Sequence, residues 1–405
     1  MKETEILKQE VREVLEDNIL RFWIDRMQDH EHGGFYGRMD GRNMLHPEAD
    51  KGAILNARIL WTFSAAYRVL SHLSPLTSHL SEYLDMATRA KDYLMRHFID
   101  RTYGGIYWSV DCQGQPKDTK KQFYAIGFAI YGLSEYARAT GDQQALREAI
   151  NLYRCIESRA LDSEYNGYIE AMTRDWQPLD DMRLSEHDAN YPKSQNTHLH
   201  IMEPYTNLYR VWPSRELAAS LRNVIRIFLN CILNRDTSHL DLFFENDWTR
   251  GAGHLESYGH DIECSWLMHE AALVLGDMDM LHEMEPVVRL VAKASEKGLN
   301  ADGSMLHEAN LDTGYIDDDP QWWVQAETVV GFINLYQHFG DRDALDKALY
   351  CWQYIKQNLI DREHGEWYWS RRSDGTLNTD DDKAGFWKCP YHNGRMCLEI
   401  LERDF

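Results

Sequence analysis

The sequence has 405 residues, enough for two or three average domains or one large repetitive one. Its net charge of −22 argues against nucleic acid or an anionic membrane surface as a partner. We predict neither a transmembrane span nor a signal peptide, and the seven scattered cysteines favour reduced thiols. We therefore expect a cytoplasmic protein.

A short aromatic signal recurs along the chain, usually with glycine, and predicts a β-hairpin at each occurrence. Its six occurrences are at residues 32–37, 103–108, 166–169, 239–244, 302–305 and 364–369. A second signal is a Gly-Asp pair, at 141–142, 276–277 and 340–341. It predicts the end of one helix and the N-cap of the next.

The helical patterns between these signals fall into two classes. Residues 142–157 and 341–359 are amphipathic, whereas 53–70, 123–139 and 322–339 are apolar nearly all round and are expected to be buried. The predicted order is outer helix, hairpin loop, inner helix and tight turn, six times over.

Six helical hairpins that close on themselves make an all-α (α/α)6 barrel, with the short β-hairpin loops at one pole. An open solenoid needs a polar capping repeat, but the last predicted helix, 392–401, is apolar. Because no linker or composition shift interrupts the chain, we predict one domain over residues 1–405.

Unusual polar and aromatic residues recur near the start of each predicted inner helix. His260 and Glu263 lie three apart, so the carboxylate can orient the imidazole and shift its pKa. All inner helices enter from the loop side, so these residues should converge on one pocket. They are Arg58, Tyr124, Asn196, His200, His260, Glu263, Trp266, Trp323, Glu327, Trp387 and His392.

Several chemistries fit parts of this set. A zinc site could use His200, His260 and His392, although their spacing does not support it. An inverting glycoside hydrolase could use Glu263 and Glu327 but leaves the histidines without a task. Proton abstraction next to a carbonyl explains more, because two bases can serve opposite faces of C2 while Arg58 stabilises an enediolate.

Five segments closely resemble the cellobiose 2-epimerase branch of the N-acylglucosamine 2-epimerase family. They are SYGHDIECSWL, WWVQAETVVGF, FWKCPYHNGRMCLEI, KGAILNARILW and NTHLHIMEPYTNLYR. The likeness covers essentially the whole chain. It implies an (α/α)6 barrel and reversible epimerisation at C2 of a reducing-end glucose or mannose unit, with no metal or other cofactor.

The resemblance also implies roles for the pocket residues. His260 and His392 would be the acid/base pair, and His200 would assist ring opening or proton relay. The remaining residues would bind the sugar, orient the histidines or form stacking walls: Arg58, Tyr124, Asn196, Glu263, Glu327, Trp266, Trp323 and Trp387.

The substrate remains open at this stage. A disaccharide such as cellobiose competes with free monosaccharides such as mannose, acted on by an epimerase or an aldose–ketose isomerase. Because the wider family includes proteins considered as protein-binding partners, a non-catalytic role is a further alternative. A small sugar is the expected partner, and we expect a monomer or a weak homodimer.

Overall fold

The computed structural model describes residues 2–73, 79–186 and 188–405. In these residues the α-helices are α1 Glu3–Glu13, α2 Arg21–Arg26, α3 Ala53–Leu73, α4 Leu80–Tyr93, α5 Phe123–Thr140, α6 Gln143–Arg159, α7 Gln195–Val211, α8 Arg215–Ile227, α9 Tyr258–Leu275, α10 Met278–Ser295, α11 Trp322–Phe339, α12 Arg342–Asn358 and α13 Tyr391–Glu402. The π-helical segment Val14–Leu20 joins α1 to α2, and Leu94–Phe98 and Phe228–Ile232 extend α4 and α8. A short 3₁₀ turn, Glu296–Gly298, follows α10.

Six helices form a closed inner ring. Each contacts the next in the order α3, α5, α7, α9, α11 and α13, and α13 returns to α3. The inner helices lack a polar face: every residue of α5 from Phe123 to Ala137 is buried. The other helices pack outside them. The predicted (α/α)6 barrel is confirmed, while its treatment as a single domain stays a prediction.

Tight turns join three inner helices to the outer helices that follow them. Gly141, Gly276 and Gly340 adopt left-handed φ values of 77°, 70° and 69°, which glycine reaches without steric strain. The aspartate after each glycine accepts hydrogen bonds from backbone N–H groups of the next helix. The predicted Gly-Asp junctions are therefore confirmed.

The loops at the opposite end carry short antiparallel strands. They are β1 Lys51–Gly52, β2 Ser109–Val110, β3 Pro116–Asp118, β4 Lys121–Gln122, β5 Ala171–Met172, β6 Lys193–Ser194, β7 Phe243–Phe244, β8 Leu255–Ser257, β9 Glu308–Asn310 and β10 Tyr315–Asp317. They form sheets β1-β2-β3, β10-β9-β8, β4-β5 and β6-β7. β1, β4, β6 and β8 lead directly into inner helices.

Each predicted hairpin signal forms a tight loop closed by one β-bridge. The bridges pair Gln28 with Phe35, Ile99 with Ile106, Leu161 with Tyr168, Leu233 with Leu240, Leu299 with Met305 and Ile360 with Trp367. The prediction of a hairpin at each signal is thus confirmed in a minimal form. The longer strand pairs join segments further apart, such as Leu255 with Asn310.

Four of these loops contain an ion pair between an early and a later loop residue, which no pattern in the sequence predicted. We call each one an Asp–Lys clamp. The pairs are Asp29 with Lys51 at 2.6 Å, Asp100 with Lys121 at 2.9 Å, Asp162 with Lys193 at 2.8 Å and Asp361 with Lys383 at 2.6 Å. Each aspartate also accepts backbone N–H groups two and three residues ahead.

In the described part of the chain, no helix is long and apolar enough to cross a membrane.

Candidate active site

A cavity of about 630 Å³ opens where the inner helices begin. Of the eleven residues predicted for the pocket, nine line it: Arg58, Tyr124, Asn196, His200, His260, Glu263, Trp323, Trp387 and His392. These nine residues therefore converge at one pole of the barrel. The other two, Trp266 and Glu327, lie beneath the cavity floor, and each is at most 1% exposed.

His392 is held by a carboxylate on the neighbouring helix. Its Nδ1 donates to Glu327 Oε1 at 2.7 Å. A histidine that donates through Nδ1 carries its lone pair on Nε2, which is then available as a base. Burial, together with the positive charges of Arg58 and Arg395, lowers the pKa of His392 well below its ordinary value.

His200 has the same arrangement within its own helix. Its Nδ1 donates to Glu203 Oε2 at 3.0 Å, one turn along α7. The lone pair of His200 is therefore also on Nε2. Burial is the largest cause that lowers the pKa of His200, and the bond to Glu203 opposes it.

His260 differs from the other two, because its Nδ1 lies 2.7 Å from a hydroxyl, Ser257 Oγ. A hydroxyl can donate or accept, so either tautomer of His260 is compatible with this contact. Burial and the nearby His307 lower the pKa of His260 well below its ordinary value. Glu263, which the sequence placed one turn away as an orienting group, bonds Arg395 instead, so that interpretation of the pair was wrong.

Arg395 lies beneath the cavity among three carboxylates. Its Nη2 donates to Glu263 Oε1 at 2.7 Å and to Glu327 Oε1 at 2.6 Å, and its Nη1 donates to Glu203. Burial and repulsion from Glu327 raise the pKa of Glu263 to about 8. Glu327 also accepts a bond from Trp266 Nε1 at 3.0 Å.

Arg58 supplies a positive charge with neutral partners. Its Nη2 donates to the Tyr124 hydroxyl at 2.9 Å and its Nη1 to the Trp387 carbonyl at 3.3 Å. Its Nε has no hydrogen-bond partner among the described residues. The guanidinium packs over Phe128, 4.2 Å from the ring centroid. A cation without a carboxylate partner can stabilise negative charge that develops on a substrate.

Aromatic side chains form the cavity walls. Trp323 lies beside both histidines of the predicted pair, with ring centroids 4.9 Å from His260 and 5.6 Å from His392. Further walls come from the described residues Trp108, Trp322, Trp369, Phe386 and Trp387. The prediction of Trp266 as a wall was wrong: the ring is fully buried, with Arg395 stacked over it at 4.8 Å.

The model of the N-acylglucosamine 2-epimerase family matches residues 34–394. The chain belongs to the N-acylglucosamine 2-epimerase family. It is therefore a carbohydrate epimerase, an isomerase.

Individual relatives extend this likeness over nearly the whole chain. The cellobiose 2-epimerase of Bacteroides fragilis is 60% identical over 98% of this chain and 99% of its own length. The solved cellobiose 2-epimerase from Bacillus thermoamylovorans superposes with a TM-score of 0.92 at 41% identity, covering 99% of this chain and 100% of that one. A D-mannose isomerase structure has a TM-score of 0.81 at 19% identity, covering 98% and 97%, and shows the shared fold alone.

The family likeness did not single out several residues that the structure brings to the site. Glu203 follows His200 by three residues, the same spacing as His260 and Glu263, so spacing could have found it. Arg395 follows His392 by three residues, within the segment FWKCPYHNGRMCLEI. His307, which lines the cavity and bonds Asp317 at 2.9 Å, comes from a loop and carries no local signal.

One cluster has donors that suit a metal ion. Glu263, Glu327 and His392 each offer a ligand atom, and these atoms lie within 4.8 Å of one another. The Arg395 guanidinium already binds both carboxylates. A divalent cation here would have to approach a buried positive charge, so the donor set fits Arg395 better than a metal.

Proposed function

We propose that this chain is a cellobiose 2-epimerase, which interconverts glucose and mannose units at the reducing end of a β-1,4-linked disaccharide. The observation that carries the proposal is the pairing of His260 and His392 around Trp323 in one cavity with the unpaired cation of Arg58. The names of the most similar relatives support the choice of substrate.

The reaction begins with the open-chain aldehyde of the reducing-end sugar. One histidine takes the C2 proton on Nε2, and the C–H electron pair forms the C1=C2 bond of an enediolate. Arg58 stabilises the charge that collects on the sugar oxygen. The second histidine takes up a proton from water and delivers it to the other face of C2, the carbonyl re-forms, and the first histidine releases its proton to water.

The pKa values of the two histidines suit this exchange. Burial lowers the pKa of both groups well below the ordinary value. A neutral imidazole is therefore the resting form that accepts a proton. Once protonated, such a group is a stronger acid than free histidine and releases its proton readily to carbon.

The other residues bind and orient the sugar. We assign the sugar hydroxyls to Tyr124 and to Asn196, whose Oδ1 has no partner among the described residues. Trp323 and Trp387 provide the stacking faces, and His200 assists ring opening. The cavity volume of about 630 Å³ lies within the range of about 300–1,000 Å³ that is typical of small-ligand pockets.

The hydrolase alternative fits this geometry less well. Inverting glycoside hydrolases hold their carboxyl groups about 6.5–9.5 Å apart, on opposite sides of the scissile bond. Oxygen atoms of Glu263 and Glu327 lie within 4.8 Å of each other, and both bind Arg395. Neither carboxylate is free to act as an independent acid or base.

Deuterium exchange tests the proposal directly. The protein is incubated with cellobiose, lactose, glucose and mannose in D2O, and the C2 proton is followed by NMR. We expect loss of that signal and formation of glucosyl-mannose from cellobiose, without added metal and after chelation. Free glucose released from cellobiose would support hydrolysis instead, and ketose formation from mannose would support the isomerase alternative.

We propose that the protein is cytoplasmic and that its partner is a small sugar. We also propose that it is a monomer or a weak homodimer. Light scattering across a concentration series tests the oligomeric state.

A further inference from the structure

A continuous hydrogen-bonded path runs beneath the cavity floor from one histidine to another. His200 donates to Glu203, Glu203 accepts from Arg395, Arg395 donates to Glu327, and Glu327 accepts from His392. We call these five residues the Arg395 network. Each is 6% exposed or less, so water does not interrupt the path.

Three inner helices contribute to the network. His200 and Glu203 come from α7, Glu327 from α11, and Arg395 and His392 from α13. These helices are not all neighbours in the ring, since α9 stands between α7 and α11. Arg395 spans this separation because its planar guanidinium presents several donors at fixed angles.

We propose that Arg395 is a positioning residue that joins His200 and His392 into one unit. A change in the carboxylate that holds one histidine is then transmitted to the other histidine. The proposal rests on the epimerase function above, because it assigns the network to the proton-transfer step. It adds two residues, Arg395 and Glu203, that do not belong to the sugar-binding set.

The geometry explains why one cation serves three carboxylates. Buried carboxylates without a cation would take up protons and lose their hold on Nδ1 of each histidine. Arg395 keeps Glu203 and Glu327 as acceptors at once, which fixes both histidines with the lone pair on Nε2. Glu263 shares the same guanidinium and is the only one of the three carboxylates that lines the cavity in the described structure.

A double-mutant cycle tests the joint behaviour. Glu203→Gln and Glu327→Gln each keep the side-chain shape and remove one charge. We expect each to lower kcat by about tenfold or more with little change in KM. In a joined unit the double variant loses little beyond the larger single loss. If the two losses multiply instead, the histidines are held independently and the proposal is overturned.

A matched control comes from the other end of the barrel. Glu135 is also 1% exposed and binds an arginine, Arg68, at 2.6 Å. We expect Glu135→Gln to leave kcat unchanged and to combine additively with Glu203→Gln. Thermal unfolding of every variant verifies that the comparison is made between folded proteins.

Arg395→Lys tests the need for a planar guanidinium. Lysine keeps the charge but is a point donor, so it cannot hold Glu203 and Glu327 together. We expect a lower kcat, and no further loss when Glu203→Gln is added. A lysine variant with full activity would contradict the bridging role.

A spectroscopic test separates this proposal from the proposed function, because it needs no substrate. In protein with ¹⁵N-labelled histidine, signals of His200 and His392 are assigned by their loss in His200→Asn and His392→Asn. We expect both to show the Nδ1-protonated tautomer, and Glu203→Gln to shift the His392 signals. Unshifted His392 signals would overturn the network even if the protein epimerises cellobiose.

Tyr391 offers another route that the test must distinguish. Its hydroxyl bonds both Glu203 and Arg395, and its ring lies 4.7 Å from His392. Tyr391→Phe removes that hydroxyl and leaves the arginine bridge. We expect the His392 signals to keep their tautomer in Tyr391→Phe, whereas a response equal to that of Glu203→Gln would assign the coupling to Tyr391.

Discussion

At the scale of single residues, His260 and His392 are expected to share the chemical step. Epimerisation delivers a proton to the face opposite the one it left, so one fixed base is insufficient. We expect His260→Asn and His392→Asn each to lower turnover by about 10²–10⁴-fold, the usual contribution of acid–base catalysis. The turnover of each variant is measured by NMR of cellobiose in D2O.

The same experiment distinguishes the two faces. One of these variants should still exchange the C2 hydrogen of one epimer with solvent, because the remaining histidine can remove and return that proton. Near-normal epimerisation in both variants would exclude the pair and leave His200 as the next candidate.

Glu263 should leave a mark on the pH dependence. Burial and the adjacent Glu327 raise the pKa of Glu263 to about 8, so we expect this carboxyl to ionise near that pH and not near its ordinary value. The negative charge that Glu263 then gains lies near His392 and changes kcat/KM. We expect Glu263→Gln to remove this step from the profile of kcat/KM, and an unchanged profile would assign the step elsewhere.

Substitutions of Trp266 and Trp387 should change different kinetic constants. Trp266 donates to Glu327 at 3.0 Å from a fully buried position, so Trp266→Phe should lower kcat with KM nearly unchanged. Trp387 lines the cavity, so Trp387→Ala should raise KM by weakening sugar stacking. Steady-state kinetics with cellobiose measure both, and a raised KM in Trp266→Phe would contradict its placement.

At the scale of residues, the sequence does not show how deep along its helix a side chain lies. Spacing shows that Glu263 and Trp266, three residues apart, share a helical face, and both bond residues of the Arg395 network. A helix rises about 1.5 Å per residue, so Trp266 lies about 9 Å deeper than His260 and below the floor. Glu327 is about 6 Å deeper than Trp323 for the same reason. Periodicity identifies the face of a helix but not where the cavity ends.

At the scale of elements, helices were far easier to predict than loops. The bounds of α11 agree with the predicted 322–339, because an all-apolar run with a terminal glycine specifies a buried helix locally. The sheet β10-β9-β8 pairs Leu255 with Asn310. No local sequence pattern predicts a pairing between residues so far apart. The Asp–Lys clamps were missed because their members are likewise far apart in sequence.

The clamps should matter for stability. Lys51 and Asp29 are both 0% exposed, so Lys51→Met leaves a buried carboxylate without its cation. Removing one partner of such a pair destabilises proteins by about 3–5 kcal/mol. The surface pair Lys117–Asp50 is the control, since Lys117 is 59% exposed and Lys117→Met should hardly change the midpoint. Urea unfolding compares them, and equal midpoints would show that the clamp is dispensable.

At the scale of the whole molecule, the ring closes only when α13 packs against α3. The N-terminal helix α1 also packs against α13, so the two ends of the chain meet at that junction. The sequence predicted closure indirectly, from an apolar last helix that no polar cap covers. It could not show that the junction also receives the first helix, since that contact spans the whole chain.

The acid limit of stability should follow the clamps. Their lysines and local backbone N–H groups hold the pKa values of Asp29, Asp162 and Asp361 below the ordinary 3.8, against the opposing effect of burial. A lowered folded-state pKa stabilises the protein above 3.8 and loses that contribution as the pH falls through the folded value. Calorimetry from about pH 5 to about pH 2 should therefore show a steep fall in the unfolding temperature. A flat response would exclude these aspartates as its cause.

The clamps also bear on how such a protein can diversify. Each one ties a residue early in a loop to a residue further along it, so a segment such as residues 30–50 is tethered at both ends. We expect substitutions or insertions between the two tether points to leave the start of α3, and with it Arg58, in place. A new sugar preference can therefore arise from changes within one clamped loop at a time, while Arg58, His200 and His392, on helices that follow clamped loops, keep their positions.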